Sequence, residues 1–319
     1  MMKIVVLDGY AADPGDISWD EMRKIGELTV YDRTLPEEAA SRIGGADAAL
    51  TNKVLITDEI MAKCPNLKYI GVLATGYNVV NIQAAAARGI TVTNIPAYST
   101  DSVGQLTMAL LLEICHHVGH HSVEIQNGRW GKSPDFTFWD YPLIELSGKT
   151  LGVIGFGHIG QRVAKLAEAF GMEILAFARH PRKELETEHC HYAPLEKLFA
   201  ESDVITLHCP LSNENKELIN KETISMMKPG VIILNTARGG LINEQDMADA
   251  LADGRVYAFG ADVVSSEPMP DSNPLRGAKN CFLTPHIAWA PYEARVRLMD
   301  IAVGNLKAFS EGKTRNKVN

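Results

Sequence analysis

Three polar residues close apolar runs in the second half of the chain: Arg238 after VIILNTA, Glu267 after YAFGADVVSS and His286 after CFLTP. Runs of this kind read as buried parallel strands, and open α/β sheets bind ligands outside the carboxyl ends of their strands. Arginine offers a permanent planar charge matched to a carboxylate, and histidine exchanges a proton near neutrality. A glutamate beside that histidine orients it and favours its protonated form. The trio suits hydride transfer to a 2-keto acid, whose carbonyl oxygen gains negative charge as hydride reaches the carbon and must be met by a proton. Taken singly, each has a plainer reading, such as a surface ion pair for the arginine or a structural role for the histidine.

Hydride chemistry needs a donor, and residues 150–160, TLGVIGFGHIG, supply a place for one. An apolar strand runs into Gly155, Gly157 and Gly160, with His158 and Ile159 opening a helical pattern. The first glycine makes the tight turn, the second admits a pyrophosphate, and the third lets helix pack on strand. The free N–H groups of the helix start then face the phosphates. An NAD site usually places a carboxylate about 20 residues further on, for the ribose hydroxyls. Here the strand MEILAFA is followed by Arg179, His180, Pro181 and Arg182. The two guanidiniums suit a 2′-phosphate, so NADP(H) is favoured and NAD(H) stays open.

The elements that must position these residues form two βα series. Before residue 100, KIVVLD, LTVYD, DAALTN, LKYIGVL and TVTNI alternate with helical segments, and after Thr150 the alternation restarts. This predicts an α/β protein of two doubly wound parallel-sheet domains. Residues 1–98 and 291–319 form one domain, the final helical pattern returning to it. Residues 99–290 form the inserted nucleotide-binding domain, with linker crossings near Pro96 and Pro291. Within the insertion, residues 101–148 hold a long apolar helix, SVGQLTMALLLEICHHVGHH, and an irregular aromatic arm. Their apolar surface predicts a symmetric homodimer.

Composition narrows the classes. The chain of 319 residues is 46% hydrophobic, with 31 Lys+Arg against 39 Asp+Glu and a net charge of −8. That balance, without a basic stripe, argues against nucleic acid. The opening run MMKIVVLDGY is too short for a signal peptide or membrane span, so a cytoplasmic location is expected. Five scattered cysteines without CxxC spacing indicate neither a disulfide framework nor a zinc site. His116, His117, His120 and His121 share metal-ligand spacing, but their place at a helix end suits its dipole, and no metal is expected.

Four ordered blocks, GFGHIG at 155–160, LNTARGGLINE at 234–244, GADVVSSEPMPDSNPL at 260–275 and TPHIAWA at 284–290, resemble the D-isomer-specific 2-hydroxyacid dehydrogenase family. FWDYPLIELSGKTLG and the tryptophan of HIAWA are similar to its bacterial glycerate dehydrogenase, or hydroxypyruvate reductase, branch. The resemblance spans the chain. It implies a Rossmann NAD(P) domain inserted into a flavodoxin-like substrate domain, and reduction of hydroxypyruvate, with glyoxylate beside it, to the D-hydroxy acid. It implies that Arg238 holds the substrate carboxylate, that His286 donates the proton and that Glu267 partners it. Backbone donors of Ala74, Thr75 and Gly76 would also bind the substrate. Asp262 would contact the nicotinamide carboxamide, Cys209 and Pro210 would shape the adenine pocket, and Thr236, Ala237 and Ala288 would complete the cofactor surface. A phosphoglycerate dehydrogenase, or a corepressor-like protein that senses NAD(H), remains as an alternative.

Overall fold

The computed structural model describes residues 1–319, which divide into two compact units, Met1–Ser99 with Ala290–Asn319, and Thr100–Trp289. In the first, β1 (Met2–Val6), β2 (Gly26–Val30), β3 (Ala48–Thr51), β4 (Tyr69–Val72) and β5 (Thr91–Thr93) form one parallel sheet in the order β2-β1-β3-β4-β5. This is the flavodoxin-like order. β3 and β4 are buried at every position, as expected of strands with both faces covered. Short helices connect the strands, two of them started by Thr57 and Asn81, whose side chains accept the N–H groups of Ile60 and Ala84.

The helix Tyr292–Ser310 belongs to this unit. Phe309 packs on Tyr69 with ring centroids 4.9 Å apart, and Asn305 donates to the Asn94 carbonyl. At its start, the buried Arg295 holds both carboxylate oxygens of Asp16 at 2.6 Å.

The second unit is a seven-stranded parallel sheet. Its strands are β6 (Thr150–Ile154), β7 (Glu173–Phe177), β8 (Cys190–Tyr192), β9 (Val204–Leu207), β10 (Val231–Asn235), β11 (Val256–Ala261) and β12 (Cys281–Leu283). Their order is β12-β11-β10-β9-β6-β7-β8. The chain steps outward from β6 and then crosses back to β9, so the topological switch point lies between β6 and β9. Ile232 and Leu234 join a core with Leu110, Leu111, Ile114 and Val163, whereas Val231 and Ile233 join another with Leu198, Phe199, Met247 and Leu251. Alternate side chains of one strand thus feed two cores, one on each face.

Two features differ from the sequence reading. The apolar run 102–121 is not one helix. Thr100–His116 ends at His117, whose φ of +48° is left-handed, and Val118–Gln126 begins a second helix. The first helix also buries Met108, Leu110, Leu111 and Ile114 within its own unit, so it needs no second subunit to cover it. The apolar side chains left open belong to the following segment, with Val118, Trp130, Phe136, Trp139 and Leu143 all more than half exposed. The other difference is β8, a three-residue edge strand that the apolar pattern does not announce.

Candidate active site

The glycine turn shows three different constraints. Gly155 has φ +99°, and a β-carbon there would lie 2.5 Å from the Cys209 nitrogen. One on Gly160 would lie 2.2 Å from the Gly155 carbonyl oxygen, so helix and strand meet with no room for a side chain. A β-carbon on Gly157 would meet nothing within 4 Å. The turn is therefore closed on the protein side and open at its middle, directly before the helix His158–Ala169. The first N–H groups of a helix lack partners within it, so this opening is a cradle for phosphate.

Loops following β7 and β9 flank this turn, because β6 lies between those strands. Arg179, His180 and Arg182 are exposed on the first, and Arg179 pairs with Glu214 of the second at 3.6 Å. Cys209 and Pro210 open that second loop. Burial pushes the Cys209 thiol upward despite the nearby Arg179 charge, so it is not set up as a nucleophile. His208, which the sequence reading passed over, abuts the turn through its backbone. Its Nε2 shares a hydrogen bond with the Thr206 hydroxyl, and its Nδ1 is buried without a partner. Burial pushes this imidazole down to about 3, so it is neutral at physiological pH.

Arg238, Glu267 and His286 follow β10, β11 and β12, three neighbouring strands, at the carboxyl edge of the sheet. Glu267 and His286 come together, with Nδ1 of His286 2.6 Å from a Glu267 carboxylate oxygen. The remaining ring nitrogen, Nε2, is thereby left to exchange a proton with a substrate. Arg238 is exposed and forms no ion pair. One of its N–H groups donates to the Ala237 carbonyl, and the rest of the fork stands ready for an anion.

Residues around this trio hold the loops, and several were missed from sequence. The fully buried Asn235 accepts from the Ala237 N–H and donates to the Arg238 carbonyl, bracketing the arginine's backbone. Gly239 presses on the next loop so closely that a β-carbon would lie 1.9 Å from the Val264 carbonyl carbon. Glu244 accepts from the Ser265 N–H and hydroxyl, each at 2.7 Å, and from Asn273. Together these contacts tie the segment bearing Arg238 to the segment bearing Glu267. An Asn at a strand end followed by a turn, and a Gly pair beside an Arg, were the available signals.

Asp262 is 1% exposed. Its carboxylate accepts from the Thr284 hydroxyl at 2.6 Å and from the N–H groups of Ile287 and Ala288 at 2.8 Å each. It encloses His286, whose φ of +56° costs a non-glycine residue on the order of 1 kcal/mol. Much of this carboxylate's hydrogen-bonding capacity thus goes into the His286 loop. Thr236 is buried with its hydroxyl 2.9 Å from that of Thr107, on the helix Thr100–His116.

In the first unit, Ala74, Thr75 and Gly76 follow β4. The Ala74 carbonyl accepts from Ile95, the Thr75 hydroxyl donates to the Ile95 carbonyl, and Asn94 donates to the Thr75 carbonyl. This anchors the loop to the end of β5. Among the histidines of 116–121, the rings of His120 and His121 lie edge to face 5.3 Å apart, and three have partners within the protein. His120 pairs with Asp140 at 2.7 Å, His121 bonds the His117 carbonyl, and the His117 ring stacks on Tyr141.

The residues present fit a dinucleotide: an open glycine turn at a helix start, with a hydrogen-bonded Glu267–His286 pair at the same sheet edge. The model of the D-isomer specific 2-hydroxyacid dehydrogenase NAD binding domain matches residues 108–288. A hydroxypyruvate reductase of Blautia hydrogenotrophica is 56% identical, the match covering 100% of both chains. A glycerate dehydrogenase of Methylorubrum extorquens is 40% identical over 99% of this chain and 98% of its own. Among solved structures, an acyclic imino acid reductase in complex with NADPH and D-Arg superposes with TM-score 0.86 at 29% identity, over 100% of both chains. With its sheet order, its glycine turn and these likenesses, the chain belongs to the D-isomer-specific 2-hydroxyacid dehydrogenase family.

Proposed function

We propose that this chain reduces hydroxypyruvate to the D-2-hydroxy acid, and glyoxylate beside it to the achiral glycolate, with NADPH favoured over NADH. The observation that carries the reading is the 2.6 Å contact between Glu267 and His286 at the carboxyl edge of a sheet whose glycine turn is open to phosphate. When bound, the nicotinamide supplies the hydride. Arg238 pairs with the substrate carboxylate and polarises the keto group, using the guanidinium that no carboxylate of the chain occupies. His286 gives its proton to the oxygen that gains charge, and Glu267 holds the ring so that Nε2 faces the substrate. Asp262, through Thr284, Ile287 and Ala288, keeps that ring in register. The N–H groups of Ala74, Thr75 and Gly76 are assigned to the substrate carboxylate on the family pattern.

Gly155, Gly157, His158, Ile159 and Gly160 would hold the pyrophosphate, Cys209 and Pro210 the adenine side, and Thr236, Ala237 and Ala288 the nicotinamide side. For the 2′-phosphate we assign Arg179 and Arg182, because no carboxylate follows β7 at the position that ribose hydroxyls use. A homodimer formed through the exposed apolar segment 118–143 completes the reading. No helix is long and apolar enough to cross a membrane, and all five cysteines are free, which suits the reducing cytoplasm.

A steady-state assay following NADPH absorbance with hydroxypyruvate, glyoxylate and phosphohydroxypyruvate tests the reading. Turnover fastest on hydroxypyruvate is expected. Preference for the phosphorylated acid would point to a phosphoglycerate dehydrogenase, and tight dinucleotide binding with negligible turnover to a sensing protein.

A further inference from the structure

The Arg179–Glu214 ion pair joins the loop after β7 to the loop after β9, and β6 lies between those strands. It therefore reaches across the carboxyl end of the strand that carries the glycine turn, over the crevice where doubly wound sheets take their ligands. Glu214 is held there by its own loop. Asn215 accepts from the Ser212 N–H at 2.7 Å and donates to the Pro210 carbonyl at 2.8 Å, bracing the segment that presents the glutamate. The pair is 70% and 80% exposed, so it is weak and easily exchanged for a stronger anion.

We propose that Glu214 is a specificity-determining residue for the cofactor, its carboxylate occupying Arg179 as an internal stand-in for a 2′-phosphate. This rests on the assignment of Arg179 to that phosphate. A phosphorylated dinucleotide must displace Glu214 from the guanidinium and then bear the nearby like charge, whereas an unphosphorylated one leaves the pair intact. Glu214 thus blunts the preference that Arg179 and Arg182 create. The phosphate is a dianion with three acceptor oxygens and outcompetes a single exposed carboxylate for the fork, so the exchange weakens its binding without preventing it.

The test measures the Kd of two probes on the cofactor-free protein by calorimetry, adenosine 2′,5′-bisphosphate and 5′-AMP. Glu214→Gln is expected to tighten the bisphosphate about three- to tenfold, the scale of losing an exposed ion pair and one like-charge contact. The 5′-AMP value should move less than about twofold. In an Arg179→Ala background, Glu214→Gln should have little further effect on either probe. The ratio of kcat/KM for NADPH over NADH should rise in Glu214→Gln in parallel. Equal tightening of both probes, or looser binding of 5′-AMP, would overturn the proposal, the latter marking Glu214 as an acceptor for ribose hydroxyls. If Arg179→Ala shifts the ratio of the two affinities and Glu214→Gln does not, the role of Glu214 alone fails. If Arg179→Ala leaves that ratio unchanged, the phosphate assignment itself fails and the proposal falls with it.

Discussion

Gly239 and Val264 meet backbone to backbone, with no space between them for even a methyl group. Gly239 follows Arg238 directly, and Val264 lies on the loop that leads to Glu267. The contact fixes the spacing between the segment that would bind a carboxylate and the segment that carries Glu267, the partner of His286.

Gly239→Ala is therefore expected to lower kcat/KM for hydroxypyruvate by about tenfold or more and to destabilise the fold by about 1–3 kcal/mol, since the backbone must part to admit the methyl group. Kinetics and thermal unfolding check both. Gly157→Ala, at an open position, should leave stability nearly unchanged and weaken dinucleotide binding instead.

Asp262→Asn keeps the shape of the side chain but replaces a charged acceptor with an amide that can accept through only one atom. The N–H of Ile287 or of Ala288 must then lose its partner, and the His286 loop loosens. A fall in kcat of about 10- to 100-fold is expected, because small displacements of a catalytic group carry such penalties. Single-turnover measurements at saturating NADPH would show it in the hydride-transfer step.

His208 makes a prediction about acid stability. Burial pushes its imidazole down to about 3, whereas in an unfolded chain it titrates near about 6.5. Between those values the unfolded state holds a proton that the folded state lacks. Stability is then complete above about pH 6.5 and is lost as pH falls towards 3, at about 1.4 kcal/mol per pH unit from this group. Urea unfolding between pH 4 and 7 should show a shallower acid decline in His208→Gln. Parallel declines would place the acid sensitivity elsewhere.

The exposed arm predicts assembly. Phe136 is 88% exposed and Trp139 63% exposed. Sedimentation of the wild-type chain should give twice the chain mass, and Phe136→Ser with Trp139→Ser should give the single mass without loss of secondary structure. Tyr141 is left in place because it stacks on His117.

Much of this architecture is legible in the residues. The apolar runs KIVV, AALT, YIGV, TLGVI and VIILN fall on strands because both faces of a parallel sheet are covered, and the turn 155–160 declares its helix through glycine spacing. The three-residue strand Cys190–Tyr192 escapes notice because an edge strand this short leaves no periodic trace among its flanking glutamates. The break at His117 is equally hidden. LLLEICHHVGHH has no glycine or proline where the chain turns, and a left-handed histidine held by stacking is a tertiary effect. Arg238, Glu267 and His286 could be named from their places after strands. What holds them there emerges only from the fold: Asn235 bonds its own turn, Gly239 abuts the Val264 backbone, and Glu244 and Asp262 bond segments more than twenty residues away.

His286, held by Glu267, is the proposed source of the proton. The most direct test of that role is the rate of NADPH-dependent hydroxypyruvate reduction by His286→Gln, measured beside the NADPH dissociation constant of the same variant. A kcat lower by about two to four orders of magnitude is expected, with cofactor affinity nearly unchanged. A kcat equal to that of the wild type would contradict it.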